Sequence, residues 1–373
     1  VRLALAGGGT GGHVVPGLHL LEHLEARQAK PEDLLWFSAG RAVEERVLAR
    51  LDARAGELAL ERVVLTLEPE SSGAPSWARL LARTPLETHR ARRALKRHDS
   101  DVLLALGGYT VLPAVLAARA LSIPVVLLEI NSVPGRATRA LAGLAERVVH
   151  AWPASVPAGR TRHACFGPPL APDFLGAPAD EARSAALRAQ LGFRSDQPLL
   201  LVLGGSQGAL GLNRFVARAA HSFVAQGIQV LHQTGPGREA EGAGEIAGYR
   251  AVPYLDQVPL ALDAATVVLC RGGASTLAEI AARARPALVV PYPHHADRHQ
   301  EKNALALGAG VRVVPEERLD AAMVSTLSGL IGPGGERERT QMSRALLAAM
   351  PRDGVARLAD ELLLVATRFR KKA

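Results

Sequence analysis

The chain has 373 residues, 48% hydrophobic and 21% charged, which is enough apolar sequence for two domains and excludes a disordered protein. Its 36 Gly and 24 Pro follow no repeating period, which excludes a collagen-like chain; its 2 Cys, Cys165 and Cys270, exclude a disulfide scaffold, weigh against a cysteine zinc site and favour a reducing cytosol. The net charge of +8 suits anionic partners such as phosphorylated substrates, a membrane surface or nucleic acid, but aromatic residues at 4% leave little for base stacking.

The segment LALAGGGTGGH (3–13) begins with an apolar stretch too short for a signal-peptide core and reads as a strand turning into a helix. Gly7, Gly9 and Gly12 match G-x-G-x-x-G, a spacing that lets backbone N–H groups approach a phosphate at a helix N-terminus. Val14, Leu18 and Leu21 recur at helical spacing, and Pro16 is expected in the first turn. His13 closes the loop, where an imidazole suits a general base, a helix cap or a phosphate ligand. A dinucleotide enzyme needs an acidic residue at the end of the second strand, LLWFSAGR (34–41), to bind the ribose. Ser38, Ala39, Gly40 and Arg41 stand there instead, which disfavours NAD and leaves Arg41 open as a partner of NADP. His19, Glu22 and His23 spell H-x-x-E-H, a metallopeptidase pattern, but on a helix that already follows a phosphate-type loop.

Residues 77–97, WARLLARTPLETHRARRALKR, carry seven Lys/Arg against one Glu. Trp77, Leu80 and Leu81 form an apolar knob beside Arg79 and Arg83, a pattern that suits an anionic membrane interface or a solvated basic helix. No nucleic-acid motif accompanies the charge. Asp99-Ser100-Asp101 is a literal D-x-D, but it precedes the strand VLLALG and so lies at the end of the sheet away from ligands. The uncharged stretch 102–118 contains Gly107-Gly108-Tyr109-Thr110 and Pro113, and reads as strand, turn and helix rather than a membrane span.

The Pro- and Gly-rich stretch 153–174 marks a domain boundary. Beyond it LLLVLGGSQG (199–208) and VVLCRGGAST (267–276) repeat the pattern of an apolar run, a Gly-Gly turn and a helix. Ser206 and the backbone amides around it suit a diphosphate. Thr276 and Glu279 fit a T-x-x-E capping box, while Glu279 also suits ribose hydroxyls. His294, His295, Asp297 and His299 cluster in a polar loop that suits a sugar pocket better than zinc. IGPGGERE (331–338) is a second loop, and RFRKKA (368–373) a solvated basic tail. Two such glycine turns per half predict an α/β chain of two Rossmann-like doubly wound domains facing across a cleft.

GGTGGH (8–13), GGY (107–109), VPGRATR (133–139), GGSQGA (204–209), RGGASTLAEIAA (271–282) and HQEKNA (299–304) occur together and in order. This set resembles the MurG family of peptidoglycan N-acetylglucosaminyltransferases, enzymes of the GT-B fold. The resemblance implies an acceptor- and membrane-binding domain over 1–164 and a UDP-sugar domain over 165–349, with a final helix near 350–373 packing back on the first. It implies inverting, metal-independent transfer of N-acetylglucosamine from UDP-N-acetylglucosamine to the C4 hydroxyl of lipid I, giving lipid II for the cell wall, with no cofactor. A related UDP-sugar glycolipid transferase with another acceptor is the alternative.

By the same resemblance His13 is the base. Thr10, Gly11, Gly12, Asn131, Ser206, Leu255, Ala274, Ser275, Thr276, Leu277, Ala278, Glu279 and Gln300 face UDP-N-acetylglucosamine, with Leu255 at the uracil and Arg298 or His299 beside the sugar. Gly9, Gly107, Gly108 and Tyr109 hold the acceptor diphosphate. The implied location is peripheral, on the cytoplasmic face of the cell membrane against its anionic leaflet, with a cell-wall synthesis complex as a further partner and no nucleic acid. Two stretches depart from the family: Gly167-Pro168-Pro169-Leu170-Ala171 replaces G-N-P-V-R, removing a cation, and Leu128-Glu129-Ile130-Asn131 keeps only the Glu and Asn of H-E-Q-N.

Overall fold

The computed structural model describes residues 1–9, 11–41, 44–45, 48–49, 59–67, 76–238, 244–294 and 297–370, with the backbone alone at 59, 76–79 and 81. The chain forms two compact units, Val1–Pro172 with Pro351–Ala373, and Asp173–Met350.

In the first unit the described elements run β1 (Leu3–Gly7), α1 (Gly11–Ala26), β2 (Asp33–Ser38), β3 (Ala59–Val64), α2 (Ser76–His98), β4 (Val102–Gly107), α3 (Val111–Ala120), β5 (Val125–Glu129), α4 (Arg136–Leu141), β6 (Arg147–His150) and β7 (His163–Cys165). Among the described residues these strands make one sheet in the order β3-β2-β1-β4-β5-β6-β7, and every pairing is parallel. A parallel sheet with helices on both faces has no wet side, so its central strands are apolar throughout rather than alternating. LALAG of β1 and VVLLE of β5 are buried at every position. Ala91, Ala94 and Leu95 of α2 and Ala114, Val115, Ala117 and Ala118 of α3 close one face of this core.

The second unit runs α5 (Glu181–Gln190), β8 (Leu199–Leu203), α6 (Leu210–Ala225), β9 (Gln229–Gln233), β10 (Tyr249–Val252), α7 (Val258–Ala264), β11 (Val267–Cys270), α8 (Ala274–Ala282), β12 (Ala287–Val289), α9 (His299–Leu305), β13 (Val311–Val313), α10 (Ala321–Ile331) and α11 (Glu336–Ala348). Its strands order as β10-β9-β8-β11-β12-β13, again all parallel. Leu212, Phe215, Val216, Ala219 and Phe223 of α6 pack on Leu200, Val202 and Val230 of the sheet.

After α11 the chain returns to the first unit as α12 (Gly354–Arg370), which packs beside α1. Its buried face is Val355, Leu358, Leu362 and Val365, each apolar side chain contributing about 1.5–3 kcal/mol through burial. The Arg370 guanidinium forks onto Asp101 through Nε (2.6 Å) and Nη2 (2.5 Å), tying the end of α12 to the start of β4. Pro16, expected in the first turn of α1, falls in the second because the helix starts back at Gly11. There it removes the N–H that would bond the Gly12 carbonyl.

Candidate functional site

Both sheets contain the strand order 3-2-1-4-5-6, with a seventh strand at the edge of the first, and in each the chain reverses direction across the sheet between its first and fourth strands. Loops leaving those two strands diverge and open a crevice, the place where doubly wound sheets bind ligands. In the first unit these are the loops after β1 and β4, and Gly7 lies against Gly107 at the strand ends. In the second unit they are the loops after β8 and β11, which run in register to Leu203 and Cys270. All four glycine turns singled out in the sequence therefore stand at the two switch points.

The first-unit loops pack so closely that side chains are excluded. A Cβ on Gly108, whose φ is +84°, would lie 2.3 Å from the Gly8 carbonyl oxygen, and one on Gly107, at φ +111°, would lie 2.7 Å from the His13 ring. The ring of His13, in the first turn of α1, is thus seated against Gly107 and Gly108. Its Nδ1 lies 3.3 Å from the Gly8 carbonyl oxygen. A carbonyl only accepts, so Nδ1 donates, and in the neutral ring Nε2 holds the lone pair a base requires. Tyr109 is 53% exposed, and α3 begins two residues later.

A residue the sequence reading passed over holds this loop. Glu44 is completely buried. Its Oε1 accepts from Gly9 N–H, and its Oε2 accepts from Ala39 N–H (2.8 Å) and Gly40 N–H (3.2 Å). The Gly9 amide, expected to cradle a diphosphate, is therefore already engaged by a carboxyl. Arg41, left open as a nucleotide-phosphate partner, donates to the Gly9 carbonyl at 3.4 Å. Glu129 plays a similar part after β5, accepting from Asn131 N–H (2.8 Å), Asn131 Nδ2 (3.1 Å), Gly135 N–H (2.7 Å) and Thr138 Oγ1 (2.6 Å). This fixes Asn131 and the start of α4, and gives the Glu and Asn of LEIN a joint structural task. Thr10 lies outside the described residues.

In the second unit Gly208 has φ +72°, and a Cβ there would lie 2.0 Å from the Thr234 carbonyl oxygen. Asn213 Nδ2 donates to that same carbonyl (2.9 Å), and Asn213 Oδ1 pairs with Nε2 of the buried His232 (3.0 Å). The loop Gly204–Gly208 is so pressed onto the end of β9. The helix α8 has Gly273 as its N-cap and no side-chain cap. The T-x-x-E capping box is therefore not formed: Thr276 is the third helical residue, and Glu279 lies nearly two turns in. Ser206, Ser275, Thr276 and Glu279 have no side-chain hydrogen bond to protein among the described residues. Burial pushes the Glu279 carboxyl up to about 8, although the residue keeps partial exposure. Burial also pushes the Cys270 thiol up to about 12, so it stays protonated and inert.

Gln300 serves this loop as a brace. Its Oε1 accepts from Gly272 N–H (3.2 Å) and Tyr292 N–H (2.9 Å), and Asn303 Nδ2 donates to the Gly272 carbonyl (3.4 Å). The HQEKN run thus holds the turn into α8 against the loop after β12, which leaves the Gln300 amide nitrogen as its donor. Arg298 pairs with Glu301, and His299 Nδ1 meets Asp297 Oδ1 at 2.8 Å. Leu255 is half-buried in the loop after β10. His295 lies outside the described residues.

The sequence model of the glycosyltransferase family 28 N-terminal domain matches residues 3–150, and that of the family's C-terminal domain matches 199–331. A UDP-N-acetylglucosamine–N-acetylmuramyl-(pentapeptide) pyrophosphoryl-undecaprenol N-acetylglucosamine transferase of Sorangium cellulosum is 38% identical over 100% of this chain and 90% of its own. The chain belongs to glycosyltransferase family 28. A transferase of the same name from Frankia casuarinae is 39% identical over 81% of this chain and 79% of its own. A crystal structure of Acinetobacter baumannii MurG aligns with a TM-score of 0.72 at 23% identity, covering 97% of this chain and 98% of that one, and shares the fold. The two sheets described above are thus the two Rossmann-like domains of a GT-B glycosyltransferase.

Other features of this family 28 chain resolve into structure. His19 Nδ1 meets the Pro169 carbonyl at 3.0 Å, and burial holds His23 below the usual imidazole range. Asp99 pairs with Arg2, and Asp101 with Arg370. Among the described residues no group of three His, Cys, Asp or Glu is placed to hold a metal ion. No described helix is long and apolar enough to cross a membrane. The helix α2 buries Glu87, Ala91, Ala94 and Leu95 and exposes Arg83, Leu86, Arg90, Arg92, Arg93, Lys96 and Arg97. Leu86 is 68% exposed and Leu80 half-buried, so among the described residues Leu86 is a large apolar side chain on the basic face. The side chains of Trp77, Arg79 and Leu81 lie outside the description.

Proposed function

We propose that the chain transfers N-acetylglucosamine from UDP-N-acetylglucosamine to the C4 hydroxyl of lipid I, forming lipid II with inversion at the anomeric carbon. The observation that carries this reading is the pair of glycine cradles at the two switch points, one holding a histidine and the other ringed by polar side chains without protein partners among the described residues. The full-length relatives named for this reaction support the same substrates.

The donor lies on the second unit. Amides of Gly204–Gln207 and of the first turn of α8, with Ser206, Ser275 and Thr276, bind the diphosphate; Glu279 accepts from ribose hydroxyls; the backbone at Leu255 meets the uracil; the Gln300 amide nitrogen donates to the sugar. The acceptor lies on the first unit, its diphosphate at the start of α3 beside Gly107, Gly108 and Tyr109. His13 Nε2 takes the proton of the C4 hydroxyl as its oxygen bonds to the anomeric carbon. The bond from that carbon to the phosphate oxygen breaks, and UDP leaves with the electron pair. Charge growing on that phosphate is met by the amides and dipole of α8, so no metal is required. The exposed basic face of α2, with Leu86 on it, docks the enzyme on the anionic cytoplasmic leaflet where a polyprenyl acceptor lies.

The test is transfer of labelled N-acetylglucosamine to a short-chain lipid I analogue in EDTA. Product is expected despite the chelator, and His13→Ala is expected to lower kcat by about 10²–10⁴-fold while UDP binding by calorimetry persists. Transfer only to a different glycolipid, or full turnover by His13→Ala, would overturn the reading.

A further inference from the structure

We infer that Glu44 is a positioning residue for the acceptor-side base: it shapes the Gly8–Gly9 turn so that His13 carries its proton on Nδ1 and its lone pair on Nε2. The inference rests on the reading of His13 as the base. It starts from a buried carboxyl that, among the described residues, pairs with no cation and is met by three backbone N–H donors: Gly9 from the loop after β1, and Ala39 and Gly40 from the loop after β2. One side chain thus joins the ends of two neighbouring strands. The contact is close on the loop side as well, since a Cβ on Gly8 would lie 2.8 Å from Ala39 N and 3.1 Å from Glu44 Oε1.

The same turn presents the Gly8 carbonyl to His13 Nδ1 at 3.3 Å. The direction of that carbonyl selects the imidazole tautomer, because an acceptor opposite Nδ1 can be satisfied only by Nδ1–H. Glu44 reaches the reacting proton through two steps, carboxyl to Gly9 amide and Gly8 carbonyl to imidazole. It touches no substrate. A carboxyl is needed because all its partners are donors. A Gln side chain offers one oxygen and turns an NH₂ group toward a backbone N–H, and an Ala leaves buried amides without acceptors. In either variant the Gly8–Gly9 turn is released, and the neutral ring is free to move its proton to Nε2, where it cannot accept from a hydroxyl.

The experiment is NMR of the whole chain labelled with ¹⁵N-histidine, with the His13 resonances assigned by their loss in His13→Gln. Wild type is expected to show the Nδ1–H tautomer, and Glu44→Gln a shift toward Nε2–H. In parallel, Glu44→Gln is expected to lower kcat by about 10-fold or more through misorientation of the base, with the KM for UDP-N-acetylglucosamine within about twofold of wild type because the donor cradle is untouched. Glu44→Asp, which keeps a carboxyl, is expected to recover part of the rate. Wild-type kcat in Glu44→Gln, or an Nε2–H tautomer in the wild type, would overturn the inference; if Glu44→Gln does not fold, the wild-type tautomer and the Glu44→Asp rate decide it. Full turnover by His13→Gln would instead overturn the base reading, and a tautomer shift in Glu44→Gln would then still establish the hold of Glu44 on the ring.

Discussion

Glu279 stands in α8 with its carboxyl raised to about 8 by burial and, among the described residues, no protein donor to favour its charged form. Between about 4.5 and 8 the folded chain therefore keeps a proton that the unfolded chain has lost, so this group subtracts stability as pH rises through that window. Ribose hydroxyls donating to the carboxylate favour the charged form and lower its pKa. Binding of UDP-N-acetylglucosamine near pH 7 is thus expected to release protons. Calorimetry in buffers of different ionisation enthalpy checks this: release is expected to shrink above pH 8 and to vanish in Glu279→Gln, and proton uptake would contradict the ribose role. The ambiguity of T-x-x-E in the sequence is a matter of where the helix begins. Gly273 takes the cap, with φ −66° and ψ 134°, and moves Glu279 beyond the first turn. Glu44 is harder to read, because RAVEERVLAR looks like an ordinary solvated helix. A ribose-binding acid would stand at the end of β2, whereas the acid that matters lies six residues past Ser38, turned inward under the glycine loop.

At the scale of elements, the strand–turn–helix units are plain in the sequence, since a parallel strand covered on both faces is an uninterrupted apolar run. What cannot be read there is which glycines are forced. Gly205 and Gly208 share a loop and a left-handed backbone, with φ +82° and +72°. A Cβ at Gly205 meets nothing within 4 Å, whereas one at Gly208 would lie 2.0 Å from the Thr234 carbonyl oxygen. Gly205→Ala is expected to lower stability by about 1 kcal/mol, the cost of a left-handed Ala, and to leave donor KM within a few-fold. Gly208→Ala must push the loop off β9 and is expected to raise donor KM by about 10-fold or more, or to abolish folding. Thermal melts and donor titrations of the two variants side by side check this, and equal effects would show that the contact with Thr234 is not what fixes the loop. The face of α2 is likewise hidden: its composition signals a basic amphipathic helix, but Pro85 and Leu86 sit on the exposed side, and only the packing of Ala91, Ala94 and Leu95 shows which side that is.

For the molecule as a whole, the charge of +8 is not spread evenly, and the exposed arginines of α2 form its densest described positive surface element. Docking by such a face is electrostatic first and apolar second. Binding to vesicles is expected to require anionic lipid, to weaken between about 0.05 and 0.5 M salt as screening tightens, and to fall further in Leu86→Glu. Salt-insensitive binding to neutral vesicles would refute the docking reading. The two-unit plan is legible from the Pro-rich stretch and from two glycine turns on either side of it. The exact crossing points are not, because they depend on packing within the first unit: a Cβ on Gly167, at φ +96°, would lie 2.3 Å from the Pro351 carbonyl oxygen, and one on Gly354 would lie 2.4 Å from the Gly167 carbonyl oxygen.

That contact puts the outgoing and returning chain side by side at residues 167 and 351–354, and makes the second unit an insertion in the first. A gene truncated after Met350 would thus remove α12, with Leu358 and Leu362, and bare the face of α1 that it covers, while residues 173–350 form one uninterrupted reading frame. The second unit can be cloned as a single fragment. The first unit requires its two pieces to be spliced, and because Gly167 already lies against Pro351, a short glycine bridge from Pro172 to Pro351 is enough.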